Sequence, residues 1–243
     1  MLYKNEVYSS EKIKNKEFIL YHHLGLGDHI ICAGLVTYLS NNYKRIHLPV
    51  KRSNIKNVNF LYRNNSRIST FIVDIEDDDI LYYSKKKKLQ ILKIGFKKRM
   101  DPFNSGFYKQ LNLSYEISFK DFGYKRDTLK EEELFKHLLS KHNIHDKYNL
   151  VHAESSLGNA DLRLNDNIPI VHVKKDTDIY NNIFLYTKLI EEATEINCID
   201  SSFLHLVERS ETNAKLYFHN IKNNTVLGTN LELRNNWETI EYL

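Results

Sequence analysis

The stretch that decides the fold is ILYHHLGLGDHIICAGL, which runs from Ile19 to Leu35. An apolar run leads into Gly25 and Gly27, and an acidic residue, Asp28, stands where a helical pattern begins. A strand that turns sharply into a helix is typical of a parallel α/β sheet, and glycines let the backbone turn tightly and approach a ligand. The G-x-G-D spacing lacks the third glycine of the dinucleotide fingerprint, so it does not indicate a nicotinamide cofactor.

Strand and helix patterns alternate through the first half of the chain. They predict, in order, strand Phe18–His23, helix Asp28–Leu39, strand Arg45–Val50, helix Asn54–Tyr62, strand Ile68–Ile75, a short helical turn at Asp79–Tyr83 and strand Leu89–Ile94. An aromatic segment, Met100–Phe122, then interrupts the alternation, and helix Asp127–His142 follows it. Alternation of this kind predicts a parallel sheet of Rossmann type.

The polar segment His142–Lys147 predicts a boundary between an N-terminal lobe, residues 1–143, and a C-terminal lobe, residues 147–243. Beyond the boundary the alternation restarts. It predicts strands Tyr148–His152, Ile168–Val173, Ile196–Ile199 and Lys215–His219, and helices Asn182–Ala193 and Ser202–Arg209. The expected fold class is therefore α/β, with two Rossmann-like lobes.

The composition narrows the function classes. The net charge of +4 is small for 243 residues, and the basic runs Lys85–Lys88 and Lys97–Arg99 have no helix-turn-helix, zinc or base-stacking motif beside them, so no nucleic-acid partner is expected. No run is long enough to cross a membrane, and the N-terminus lacks a signal-peptide pattern. Cys32 and Cys198 lie in apolar stretches and are expected to be buried thiols. We expect a cytoplasmic protein, and a homo-oligomer stays open.

A second strand–turn–helix pattern is INCIDSSFLHLVER, Ile196–Arg209. Asp200, Ser201 and Ser202 lie at its turn, and His205 follows one helical turn later. Small hydroxyl residues at a helix start leave backbone amides exposed, and such amides bind phosphate. The alternative is a capped helix with Ser201 or Ser202 as its cap, and with His205 packed or solvated.

Two further positions allow both a structural and a functional interpretation. Asp28 is either an N-cap for its own helix or a carboxylate at the ligand-binding edge of the sheet. In LVHAESSLGNADLRL, Leu150–Leu164, a strand leads into a loop with Ser156 and Gly158. Arg163 follows this loop, either as a surface arginine or as a group that neutralises phosphate.

Other chemistries find little support in the sequence. Four residues of metal-ligand type are close in sequence, but they have no recognised ligand spacing: His22, His23, Asp28 and His29. Neither a G-x-S-x-G elbow nor a P-loop is present. The aromatic residues of the middle segment are either core residues or stack on a sugar: Phe103, Phe107, Tyr108 and Tyr115.

Taken together, the three segments resemble GT-B-type glycosyltransferases, above all the ADP-heptose:lipopolysaccharide heptosyltransferases and related bacterial or viral sugar transferases. Leu26-Gly27-Asp28 is similar to the family's small-Gly-Asp element, whose aspartate activates the acceptor hydroxyl as a base. Asp200–Leu206 is similar to its Asp-Thr-Gly-x-x-His-Leu element, which holds the donor diphosphate, although Ser202 stands in place of the glycine. The family's Lys-Arg-Trp-type segment is absent, and only Arg163 is a candidate to replace it.

The resemblance implies a compact GT-B-like glycosyltransferase of hexosyl or heptosyl type, inverting and metal-independent, with no cofactor. Its partners would be a nucleotide-sugar donor, held mainly by the C-terminal lobe, and a glycan acceptor, held mainly by the N-terminal lobe. Asp28 would be the catalytic base. The donor-binding residues would be Gly25, Gly27, Arg163, Asp200, Ser201, Ser202 and His205. Two alternatives stay open: a nucleotide-sugar-binding or scaffolding protein without turnover, and a nucleotide-binding enzyme of different chemistry on the same fold.

Overall fold

The computed structural model describes residues 5–96, 101–155, 158–164, 167–221 and 230–242. The basic run Lys97–Arg99 and Ser156, both singled out in the sequence, lie outside the described residues. The chain forms two compact units, the first made of Met1–Lys125 with Asn230–Glu232, and the second of Arg126–Thr229 with Leu233–Leu243. Each unit contains a five-stranded sheet of parallel strands flanked by helices, which confirms the prediction of two Rossmann-like lobes.

The first unit has strand order β1-β5-β2-β3-β4, so β2 is its central strand. Its strands are β1 (Glu6–Val7), β2 (Glu17–Tyr21), β3 (Arg45–Lys51), β4 (Ile68–Val73) and β5 (Gln90–Lys93). Its helices are α1 (Leu26–Ile31), α2 (Ala33–Ser40), α3 (Ile55–Tyr62), α4 (Glu76–Lys87), α5 (Phe103–Gln110) and α6 (Ile117–Lys120). Strand β2 is apolar and buried along four of its five residues, as expected for a parallel strand covered on both faces.

The second unit has strand order β12-β11-β10-β6-β9, so β10 is its central strand. The strands of this sheet are β6 (Asn149–His152), β9 (Ile170–His172), β10 (Glu195–Cys198), β11 (Lys215–Asn220) and β12 (Trp237–Glu241). A separate antiparallel pair consists of β7 (Glu154–Ser155) and β8 (Gly158–Asn159). The helices are α7 (Thr128–Lys141), a short 3-10 helix (Ile183–Tyr186), α8 (Thr187–Glu192) and α9 (Ser202–Val207).

The compact units divide between Lys125 and Arg126. Helix α7 therefore belongs to the second unit. Arg126, just before α7, donates to the buried Glu131 at 3.0 Å and to Glu191 of α8 at 2.9 Å. This paired contact of one guanidinium with two carboxylates fixes α7 against α8, because both ion pairs have the planar geometry that arginine favours.

The predicted helix Asp28–Leu39 is two helices that meet at Cys32. The hydroxyl group of Tyr108 causes the break. It donates to the carbonyl of Ile31 at 2.7 Å and accepts from the amide of Leu35 at 3.2 Å, so it takes the place of the regular bond between these two backbone groups. A side chain inserted into the backbone ladder kinks a helix, and sequence periodicity does not reveal it.

Glycine is also required where the second of these helices packs. A β-carbon on Gly34 would lie 2.2 Å from the carbonyl oxygen of Ile117 and 2.9 Å from Cα of Ser118. Both are backbone atoms of α6 and cannot move aside cheaply. Helix α2 therefore approaches α6 more closely than any larger residue would allow.

Several elements are longer or shorter than predicted. The predicted turn Asp79–Tyr83 lies inside the twelve-residue helix α4, whose first turn is acidic and whose last turn contains Lys85, Lys86 and Lys87. These charges complement the helix dipole at both ends, which is the local role of this basic run. The aromatic segment forms α5 and α6, and two of its four aromatic candidates, Phe107 and Tyr108, are fully buried core residues.

The edge strands β1 and β12 were not predicted. Strand β12 alternates little between buried and exposed residues, because it lies at the edge of its sheet and pairs on one side only, with β11.

A short segment from far along the sequence, Asn230–Glu232, belongs to the first unit. The buried side chain of Asn104 donates to the carbonyl of Glu232 at 2.9 Å and accepts from its amide at 3.0 Å.

Among the described residues, the helices are too short or too polar to span a lipid bilayer.

We predict that the variant Tyr108→Phe is destabilised by about 1–3 kcal/mol, because the buried Ile31 carbonyl and Leu35 amide lose the hydroxyl between them. The measurement is the free energy of unfolding in urea, with Tyr82→Phe as the matched control. Tyr82 is 66% exposed on α4, so removal of its hydroxyl should change the stability little. An unfolding free energy of Tyr108→Phe equal to that of the control would show that the inserted hydroxyl does not hold the break.

Candidate functional site

Two turns follow the central strands of the two sheets and border the places where the strand order reverses. The first follows the central strand β2 and leads into α1, and the second follows the central strand β10 and leads into α9. In the first sheet the chain proceeds from β2 to β3 on one side and returns to β5 on the other. In the second it proceeds from β6 to β9 and returns to β10. Open α/β sheets bind ligands at such switch points, outside the carboxyl ends of the strands.

Asp28 is the third residue of α1 and not its N-cap. Its carboxylate accepts a hydrogen bond from the backbone amide of Gly25 at 3.1 Å, so it reaches back over the start of the helix. The predicted N-cap position is occupied by Gly25. The carboxylate is held at the carboxyl edge of the sheet and is half-buried, neither covered by the core nor fully in solvent.

Gly25 is needed for the position of that carboxylate. A β-carbon at Gly25 would lie 2.7 Å from Oδ2 of Asp28, the atom that accepts the hydrogen bond from the Gly25 backbone amide. The φ of Gly25 is −65°, which any residue can adopt, so the turn does not require a glycine for its backbone conformation. Gly27 lies inside α1, beside Asp28. The first glycine of the motif thus makes room for a carboxylate that folds back onto the turn.

Two buried histidines lie next to this turn. The rings of His22 and His29 are 4.5 Å apart between centroids, with neither side chain accessible to solvent beyond 1%. Burial lowers the pKa of His22 to about 4 and holds the pKa of His29 well below its ordinary value. Both imidazoles are therefore neutral at pH 7, and they place no positive charge beside Asp28.

His23 faces an aromatic group at the same edge of the sheet. Its Nε2 lies 3.1 Å from the carbonyl oxygen of Gly95, and its ring contacts the rings of Phe96 and Phe103 at centroid distances of 4.8 and 5.7 Å. Phe96 is 39% exposed. Within the described residues, no cluster of three or more histidine, cysteine, aspartate or glutamate side chains is arranged to hold a metal ion.

The second turn brings Asp200, Ser201, Ser202 and His205 together. Ser201 is the N-cap of α9, and its hydroxyl accepts from the amide of Leu204 at 3.4 Å. Ser202 is the first residue of the helix. The capping alternative is therefore correct for Ser201, and the turn still directs the start of α9 toward the carboxyl edge of the sheet.

His205 is buried beneath this turn. Its Nε2 lies 3.8 Å from the carboxylate of Asp200, and only 4% of the residue is exposed. Burial and the nearby Arg209 lower the pKa of His205 to about 3. The side chain is neutral at pH 7, so it cannot supply positive charge to a phosphate.

Arg163 lies at the same edge of the second sheet, after the antiparallel pair β7–β8. Its backbone amide donates to the hydroxyl of Tyr242 at 2.8 Å, and its guanidinium lies 4.9 Å from the centre of the Tyr242 ring. Tyr242 directly follows β12, whose carboxyl end is at the same edge as that of β10. Sequence reasoning missed Tyr242, because it did not predict β12; the alternation in TIEY is the signal that could have indicated it.

The hollows described within each unit are elsewhere. One of about 930 Å³ in the second unit is lined by residues at the amino ends of its strands, among them Ser210, Thr212 and Lys215. One of about 600 Å³ in the first unit is lined by Ser40, Arg67 and their neighbours. Neither contains a predicted site residue. The candidate sites described here are turns at the edges of the two sheets, outside these two hollows.

We predict that the protein loses stability steadily between pH 6.5 and pH 4. Burial lowers the pKa of His22, His205 and His219 from 6.5 to between about 3 and 4. In this pH range the three histidines are protonated in the unfolded chain and neutral in the folded one, so protonation stabilises the unfolded state. Each histidine removes about 1.4 kcal/mol of unfolding free energy per pH unit in this window. Urea unfolding at pH 7, 6 and 5 measures it, and equal free energies at pH 7 and pH 5 would contradict the burial of neutral imidazoles.

Comparisons with known proteins support the fold. Neither a protein-family model nor a curated protein matches the sequence. Among solved structures, the chain is similar to the glycosyl transferase family 9 protein from Veillonella parvula DSM 2008, with a TM-score of 0.57 and 9% sequence identity. The match covers 94% of this chain and 88% of the other. At this identity, the likeness establishes that the two chains share their two-lobed α/β fold.

Proposed function

We propose that the protein is a glycosyltransferase that moves a sugar from a nucleotide-sugar donor to a glycan acceptor. The observation that carries the proposal is the placement of Asp28 and Asp200 at the turns that follow the central strands of two Rossmann-like sheets. The solved structure of a glycosyl transferase family 9 protein matches 94% of this chain, and this shared fold supports the same class of activity. The proposal fits both turns, since each lies where open α/β sheets bind ligands.

Asp28 is the proposed general base. Its carboxylate is held by the Gly25 amide, next to neutral histidines, where an acceptor hydroxyl can approach it from the edge of the sheet. It would take the hydroxyl proton as the acceptor oxygen attacks the anomeric carbon of the donor. The bond to the diphosphate breaks in the same step, so the configuration at that carbon inverts. The acceptor in this scheme is a glycan bound mainly by the first unit.

The second unit is the proposed donor site. Backbone amides at the Ser201–Ser202 turn would face the departing diphosphate, with Asp200 and the neutral His205 beside them. Arg163 would provide positive charge at the same edge. Gly25 and Gly27 would let the backbone of the first unit approach the bound sugars. Because amides and arginine take up the phosphate charge, the proposed reaction needs no metal ion.

We predict that a nucleoside diphosphate stabilises the protein, by about 2.7 kcal/mol at a hundredfold excess over its dissociation constant. A thermal-shift series with ADP, GDP and UDP measures this, and the shift should persist in EDTA. His205→Ala should weaken the binding while circular dichroism shows an intact fold. Absence of a shift with all three diphosphates would remove the donor site, and a shift abolished by EDTA would show that a cation holds the phosphates.

We predict that Asp28→Asn lowers the transfer rate by about 100-fold or more, because an amide cannot take the acceptor proton. The asparagine oxygen can still accept from the Gly25 amide, so the turn, the melting temperature and the affinity for nucleoside diphosphate should be retained. All three quantities are measured on one preparation.

Asp78→Asn is the matched control for this variant, since Asp78 is exposed on α4 and its replacement should leave transfer unchanged. Transfer by Asp28→Asn at the rate of the control would show that Asp28 is only a structural residue of the turn. Diphosphate binding without transfer in the wild-type protein would instead favour a nucleotide-sugar-binding protein without turnover.

A further inference from the structure

A continuous row of polar side chains crosses the second sheet and ends at Arg163. Asn197 of β10 donates to the side-chain oxygen of Asn149 at 2.8 Å, and its own oxygen lies 2.7 Å from Nε2 of His219 in β11. The other ring nitrogen of His219 lies 2.7 Å from the hydroxyl of Tyr242. That hydroxyl accepts from the Arg163 amide at 2.8 Å. The row therefore links three strands to the loop that contains Arg163.

The direction of each bond follows from the chemistry of its members. The oxygen of Asn197 is an acceptor only, so Nε2 of His219 donates to it. Burial lowers the pKa of His219 to about 4, and the ring is neutral with a single proton. Nδ1 therefore accepts, and the Tyr242 hydroxyl donates to it. The hydroxyl is then oriented with its oxygen toward the Arg163 amide.

Burying this row of polar side chains costs free energy, because polar groups lose their solvation. Asn149, Asn197 and His219 are 3% exposed or less, and the side-chain nitrogen Nδ2 of Asn149 has no hydrogen-bond partner among the described residues. Apolar residues at these positions would avoid the loss of solvation. What the row provides is one fixed position for Tyr242 at the carboxyl edge of the sheet.

Arg163 depends on that position. It is exposed, and in the described structure its contacts with the protein are those made to Tyr242, by the backbone amide and by the guanidinium over the ring. Strands lie about 4.8 Å apart, so β12 is about 10 Å from β10, the strand that leads into the Asp200 turn. This separation is shorter than a nucleotide sugar, so one such donor could reach both places.

We propose that Tyr242, held by His219, is the positioning residue for Arg163, which it keeps at the donor-binding edge of the second sheet. The contact between Arg163 and the donor rests on the function proposed above. The positioning itself does not, and it can be measured without a ligand.

The first experiment uses trypsin, which cleaves after Arg163. Tyr242→Phe keeps the ring and removes the hydroxyl, so the Arg163 loop should open more often. Mass spectrometry of the full-length protein would follow cleavage after Arg163 relative to cleavage after the exposed Lys175. We expect this ratio to rise about fivefold, as for the loss of one hydrogen bond. Tyr217→Phe, the same change elsewhere in the sheet, should leave it unchanged. A ratio that does not rise, or cleavage that accelerates equally at both sites, would overturn the positioning role.

The second experiment is a double-mutant cycle on the affinity for whichever of ADP, GDP and UDP binds best. Tyr242→Phe and Arg163→Ala should each weaken binding, and Tyr242→Phe should have no further effect in the Arg163→Ala background. Additive losses would show that Tyr242 does not act through Arg163. If the wild-type protein binds none of the three, the donor site of the proposed function fails, while the trypsin ratio still decides whether Tyr242 positions Arg163.

Discussion

The first unit depends on the hydrogen bonds that the Tyr108 hydroxyl makes between α1 and α2. The hydroxyl bonds to the carbonyl of Ile31 and the amide of Leu35, and Ser118 adds a bond of 3.1 Å to the same carbonyl. One helix is thereby divided into a short α1, which contains Asp28, and a longer α2, which packs closely on α6. The break between α1 and α2 thus depends on a residue more than seventy positions away along the chain.

The two candidate turns share an electrostatic character. Each contains a carboxylate at the edge of a sheet, and each is accompanied by buried imidazoles that are neutral at pH 7: His22 and His29 near Asp28, and His205 near Asp200. Because these rings are neutral, they add no positive charge beside either carboxylate. A neutral ring beside a proposed general base does not lower the basicity of its carboxylate as a buried imidazolium would.

The sequence was sufficient for what depends on local pattern. Most strands of the two sheets, their parallel arrangement and the two turns could be predicted, because buried parallel strands are apolar and the two turns are marked by Gly25, Asp28, Asp200 and Ser201. It was insufficient where distant residues decide. The break at Cys32 needs Tyr108, and the length of α4 comes from charges at its ends rather than from an apolar stripe. The surroundings of Arg163 could not be predicted without β12, an edge strand with little apolar character.

The bonds between Asn104 and Glu232 have a consequence for how the chain is made. Asn104 emerges from the ribosome long before residue 232, and its amide group is buried in the finished protein with both of its polar ends bonded to that late residue. The sheet of the first unit can form once β5 has been synthesised, because β1 and β2 both pair with it. Its final closure must wait until residue 232 has been synthesised. Until then the side chain of Asn104 can bond to the nearby hydroxyl of Tyr115 but not to Glu232, and Asn230–Glu232 complete the unit only after strands β6 to β11 of the second unit have been made.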